Sequence, residues 1–189
     1  MATSRSLDVI KHCCLVGADL ERADLRYKDL RGVNLTNSNL RGADLSHSDC
    51  RGTLFVKADL SRACLYNTDC EGADFSHADM SMSYLRATNF NHARMWFAAL
   101  RRVTCKQAFF LGADMTGVDF AFGFFLGSRF GPPMAIVKGA RNIDLATFHW
   151  YWNPQGGAPS YKPVEGYLDL WDSALGGISM QENASTRPK

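Results

Sequence analysis

Three sets of residues in this chain of 189 have types that could do chemistry. His12-Cys13-Cys14 could bind a metal ion, Cys50 and Cys70 could form a disulfide, and the recurrent aspartates could supply an acid and a base. The tripeptide has no second ligand pair at a fixed spacing, and nothing singles out any two aspartates. Parallel inward side chains and a reducing compartment favour buried thiols at Cys50 and Cys70 over a disulfide. The sequence also has no phosphate-binding glycine-rich loop and no His-Glu-x-x-His motif. We therefore predict no enzyme activity, no metal site and no cofactor.

The aspartates belong to a five-residue repeat over residues 15–130. Every fifth residue is Leu, Phe, Met or Cys, without exception at 24 positions, and a small residue, usually Ala, precedes it by two. Asp or Asn fills the position between them 14 times. On an α-helix, apolar residues at this spacing would be spread over all sides, and on a flat strand they would alternate between the two faces. Each unit must therefore contain its own bend. We predict that the small and apolar residues point inward and that the Asp or Asn caps the amides of each corner.

A slower rhythm of 20 residues predicts four units per coil. Glycine recurs at this interval, with His92 as the one interruption; the positions are Gly32, Gly52, Gly72 and Gly112. Units such as Gly-Ala-Asp-Leu at 17–20 and 42–45 resemble the A(D/N)LXX units of pentapeptide-repeat proteins. The resemblance implies an all-β fold: a right-handed quadrilateral parallel β-helix over residues 15–131, in which 24 units at four per coil make about six coils.

The two ends of the chain depart from the repeat. We predict a short N-terminal cap over residues 1–14. Gly131-Pro132-Pro133 cannot donate two ladder hydrogen bonds, so the coil is expected to stop there. Residues 132–180 are predicted to form an irregular, aromatic capping or association segment, and residues 181–189 are expected to be disordered.

Large apolar residues at outward positions of the late coils and in the tail predict an interaction surface, because aromatic anchors dominate protein interfaces. The tail either covers its own coils or forms a surface for another chain; both alternatives are open. The candidate residues are Trp96, Phe97, Phe122, Trp150, Tyr151, Trp152 and Trp171.

Charge separates the possible functions. The resemblance implies that some relatives mimic DNA with an acidic rod and bind type II topoisomerases such as gyrase, protecting them from quinolones or inhibiting them. Here Lys plus Arg number 21 against 19 Asp plus Glu, and arginines sit beside the aspartates. This balance disfavours DNA mimicry, and the interspersed aspartates disfavour direct binding of nucleic acid.

We therefore expect a non-enzymatic scaffold that binds a protein partner or a second copy of itself. Six cysteines without a signal peptide indicate a cytoplasmic or intracellularly assembled protein, and no stretch is apolar enough to span a membrane. A structural component of a larger assembly, such as a virion, would have the same properties. A topoisomerase-interacting protein is the alternative function.

Overall fold

The five-residue units wind into a coil whose backbone pairs with itself at intervals of twenty residues. The computed structural model describes residues 15–130, 137–142 and 146–149. Parallel bridges join outward-facing residues twenty positions apart, as between Asp19 and Asn39 and between Asp59 and Asp79. Four units therefore complete one coil, as the glycine interval predicts. The architecture is an all-β repeat fold in which each coil hydrogen-bonds to the next.

Every unit turns through a two-residue corner. At most corners the amide of the small residue that follows donates to the carbonyl of the apolar residue before the corner, as from Ala18 to Leu15 at 3.0 Å. The second corner residue has a positive φ whether or not it is glycine: 64° at Gly52 and 56° at Ala87. Glycine adopts this left-handed conformation without a steric penalty, which explains its enrichment there.

The aspartates and asparagines cap these corners. In each of the 14 units that have one, the side-chain Oδ1 accepts a hydrogen bond from the backbone amide two residues later, at 2.8 to 3.3 Å. An amide at a bend has no ladder partner, and an unpaired amide is costly. The predicted role of the aspartates in capping corner amides is confirmed.

Apolar residues at five-residue intervals form the core. From Leu25 to Phe130 every one of them is at most 4% exposed. Phenylalanines one coil apart stack nearly parallel, as Phe90 does on Phe110 with ring centroids 5.1 Å apart. The inward direction predicted for the apolar and small positions is correct.

The ladder continues beyond the point at which the sequence predicts it to stop. Strand β1, Phe124–Leu126, pairs in parallel with strand β2, Thr147–His149, and Asp119 bridges to Arg141. The offset grows from 20 residues to 22 at Arg141 and to 23 at Thr147. The prediction that the coil ends at residue 131 is therefore wrong, because pairing with the preceding coil is present at Arg141 and at Thr147.

The predicted cap over residues 1–14, most of the segment 132–180 and the terminus 181–189 lie outside the described residues and stay predictions. In the described part of the chain, no helix has the length and apolarity needed to cross a membrane.

Candidate interaction surface

The coil presents four faces, each built from outward residues twenty positions apart. We number them by their first member: face 1 begins at Asp19, face 2 at Asp24, face 3 at Asp29 and face 4 at Asn34. A two-residue corner separates each face from the next. Residues that are neighbours in sequence therefore need not lie on the same face.

Trp96 lies over face 4 and is held by charged neighbours. The Arg94 guanidinium lies 4.9 Å from its ring centroid. Arg94 in turn pairs with Asp74 at 2.9 Å. Burial opposes ionisation of Asp114, but hydrogen bonds, chiefly those from Thr116, outweigh it and hold the pKa of that carboxyl below its usual value. Trp96 is 41% exposed, so its partners orient the ring without covering it.

A shallow cavity of about 350 Å³ lies beside Trp96. Gly72 and Gly112 flank His92 in the corner that borders face 4, and their missing side chains open the cavity. In the described residues no group of three potential ligands is arranged to hold a metal ion.

Phe97 occupies the same corner as Trp96 but packs along its own column. Its ring stacks on His77 with centroids 5.3 Å apart and covers Gly117 one coil above. A Cβ atom on Gly117 would lie 2.4 Å from the Phe97 ring, so the ring requires glycine there. Phe97 is nevertheless 52% exposed.

Phe122 stands on the next corner, between faces 1 and 2, and is 61% exposed. The Arg102 guanidinium lies 5.9 Å from its ring centroid. The structure thus brings Trp96 and Phe97 together on one corner and places Phe122 on another. Four further candidates, Trp150, Tyr151, Trp152 and Trp171, lie outside the described residues.

Face 3 shows how the negative charge of the aspartates is neutralised. Arg31 pairs with Asp29 at 2.7 Å and reaches Asp49 at 3.5 Å, while Arg51 pairs with Asp49 at 2.6 Å and reaches Asp69 at 3.6 Å. The hydrogen bond from Arg51 holds the pKa of Asp49 below its usual value despite partial burial. Carboxylates and guanidiniums therefore alternate along the early coils of this face, from Asp29 to Asp69.

Face 2 has a different composition, which the summed charge of the chain concealed. After Asp44 its outward residues carry no carboxylate, and neither do the positions that border it. We call this part of face 2 the cationic strip. Its residues are Arg62, Cys64, Tyr66, Met82, Tyr84, Arg86, Arg102, Thr104, Lys106, Phe122, Phe124 and Leu126. Sorting the sequence into columns of twenty is the signal that would have found it.

The repeat matches a known family model. Eight copies of the pentapeptide repeat match residues 13–49, 34–69 and 68–104. No protein with curated annotation matches the chain in sequence. Among solved structures, a pentapeptide repeat protein from the thylakoid lumen of Arabidopsis thaliana is similar: it is 30% identical, the match covers 51% of this chain and 68% of that one, and the TM-score is 0.50.

Two further structures match at lower similarity. HetL, a pentapeptide repeat protein involved in heterocyst differentiation regulation in the cyanobacterium Nostoc, is 21% identical over 69% of this chain and 72% of its own, with a TM-score of 0.38. Full-length QnrB1, a plasmid-mediated fluoroquinolone resistance protein, is 18% identical over 86% of this chain and 97% of its own, with a TM-score of 0.34. The family model, the Arabidopsis structure and the corner geometry agree: the chain belongs to the pentapeptide-repeat proteins.

Proposed function

We propose that this protein is a non-enzymatic scaffold that acts through protein–protein contact at its C-terminal coils. The observation that carries the proposal is the corner formed by Trp96 and Phe97, where two large aromatic side chains remain about half exposed although neighbouring groups hold them in place. Rings that are already ordered lose little conformational freedom on binding, which makes them suitable anchors.

The proposal includes the finer architecture implied by the family: a right-handed, four-sided coil of about six turns. Support comes from the bridges at twenty-residue intervals and from the unbroken core ladder. Such a rod has a fixed shape and presents residues at regular intervals, which suits a piece of a larger assembly, a virion among them. We place it in a reducing compartment, because Cys50, Cys64, Cys70 and Cys105 are free thiols.

Self-association and partner capture test this function. The double variant Trp96→Ala/Phe97→Ala removes both aromatic rings from this corner. Tyr27→Ala is the matched control, because Tyr27 is an exposed, stacked aromatic residue on an early coil. We expect wild type and the control to form an oligomer in sedimentation velocity or to capture a partner from the native host, and the double variant to lose both. A wild-type monomer of 21.0 kDa without a partner would overturn the proposal.

A DNA-mimicking, topoisomerase-interacting role is the alternative that the family suggests. The pairing of arginines with aspartates on face 3 speaks against it, because a DNA mimic needs uncompensated negative charge. We expect no effect on gyrase supercoiling, with or without a quinolone. Inhibition or protection by this protein at micromolar concentration would restore that alternative.

A further inference from the structure

Cations of the cationic strip have no carboxylate partner among the described residues, unlike the arginines that begin faces 2 and 3. Arg26, on the first coil of face 2, pairs with Asp24 at 2.8 Å. Further along the same face Arg86, Arg102 and Lys106 instead lie over aromatic rings, at 5.7 to 5.9 Å from the centroids. Among the residues that the structure describes, none of these three cations has a carboxylate within 4 Å.

Stacking places the cations close to one another. Arg86 and Lys106 occupy equivalent positions one coil apart, and Arg62 and Arg102 occupy equivalent positions two coils apart. Because coils are spaced by about 4.8 Å, like charges repeat along both edges of the strip at short range. Tyr84, 57% exposed, and Phe124 lie between the two edges. The strip thus fits an extended segment with carboxylates and aromatic or apolar side chains.

The chain itself contains such a segment, and its last described residues lie next to this face. Strand β2 pairs with β1 on face 2, at the C-terminal end of the strip, so the chain beyond His149 starts there. Residues 165–172 read Glu-Gly-Tyr-Leu-Asp-Leu-Trp-Asp, with three carboxylates, two aromatic residues and no cation. The intervening residues can span about 3.3 Å each, far more than the height of three coils.

We propose that residues 165–172 dock on the cationic strip of their own chain. Glu165, Asp169 and Asp172 supply the carboxylates that Arg86, Arg102 and Lys106 lack, and Tyr167 and Trp171 pack against the exposed rings. The inference stands apart from the proposed function, whose anchors Trp96 and Phe97 lie on a different corner.

Charge exchange in the full-length protein tests the docking. The strip variant is Arg86→Glu/Lys106→Glu and the tail variant is Asp169→Lys/Asp172→Lys. The rate of chymotrypsin cleavage after Tyr167 and Trp171, followed by mass spectrometry, measures the fraction of molecules in which the segment is undocked. We expect each double variant to be cleaved about tenfold faster than wild type, because like charges now face each other. The combined charge-exchanged protein regains the protection.

Lys57→Glu/Arg129→Glu is the control, because it makes the same charge change at exposed positions away from the strip; Arg129, like Arg86, lies over an aromatic ring. Circular dichroism melting of every variant verifies that the coil is folded.

Equal cleavage of wild type and the two double variants, or no recovery on charge exchange, would overturn the proposal. So would protection that rises with protein concentration, which indicates docking on a second copy. Tight binding of a single-stranded oligonucleotide by wild type, measured by fluorescence anisotropy, would identify an open nucleic-acid site instead.

Discussion

At the scale of single residues, the outward aspartates have two structural roles. Each outward aspartate uses Oδ1 to cap a corner amide, and many also use a carboxylate oxygen to pair with arginine; Asp49 does both with Arg51. Asp119 shows the extreme case. It accepts bonds from Ala121, Arg101 and Asn142 and is almost completely buried. That carboxylate ties residues beyond the prolines to the preceding coil.

The pairing of Asp24 with Arg26 predicts a pH dependence. The side-chain hydrogen bond from Arg26 lowers the pKa of Asp24 to about 2. A lowered pKa in the folded state means that the pair stabilises the fold above the unfolded value of about 3.9, and that this contribution is lost as pH falls through the folded pKa. Arg26→Gln should raise the pKa of Asp24 towards 3.9, as measured by NMR titration of the carboxyl carbon.

Arg62→Gln is the control for that titration, because Arg62 lies on the cationic strip and has no ion pair with Asp24. An Asp24 carboxyl that titrates identically in wild type and Arg26→Gln would contradict the pairing.

At the scale of the element, the corner sets the rules for substitution. Its second residue must take a positive φ, which costs a residue with a side chain about 1–2 kcal/mol relative to glycine. Fifteen described corner residues other than glycine accept this cost. The ladder bonds on both sides of each corner hold the conformation, because the energy of the coil resides in the pairing between coils rather than in any single turn.

Alanine substitutions at two glycines distinguish the energetic cost of a positive φ from the cost of a steric collision. A methyl group on Gly52 would have nothing within 4 Å of it, whereas a methyl group on Gly117 would collide with the Phe97 ring. We expect Gly52→Ala to lower the free energy of unfolding by about 1 kcal/mol and Gly117→Ala to lower it more, in denaturant titrations.

Phe97→Ala should reduce the excess cost of Gly117→Ala, because the colliding ring is gone. If the effects of Gly117→Ala and Phe97→Ala add without coupling, the proposed contact between the two residues is wrong.

At the scale of the whole molecule, the coil sorts its charges by face. The formal charge of +2 conceals two different surfaces: Asp and Arg alternate on the early coils of face 3, whereas the cationic strip on face 2 has no carboxylate. Each coil contacts only its neighbours, so stability is transmitted from coil to coil.

Leu65→Asp tests this transmission. Leu65 is fully buried, and an unpaired carboxylate there costs several kcal/mol. We expect hydrogen exchange to show loss of protection in the coils adjoining Leu65, together with a large fall in melting temperature. Arg62→Ala, three residues away but outward, should leave both nearly unchanged. Similar melting temperatures for the two variants would refute the inward register.

The primary structure was sufficient for every feature that repeats. An apolar residue at each fifth position, a small residue two before it and an Asp or Asn between them dictate the bend, the inward ladder and the amide caps, because these depend on neighbours within one unit. Three features emerge only when the chain is laid out coil by coil: the ladder that resumes after the prolines at offsets of 22 and 23, the separation of Phe122 from Trp96 and Phe97, and the acid-free strip. Each depends on which residues lie one coil apart or share a face, and only winding the chain brings those residues together.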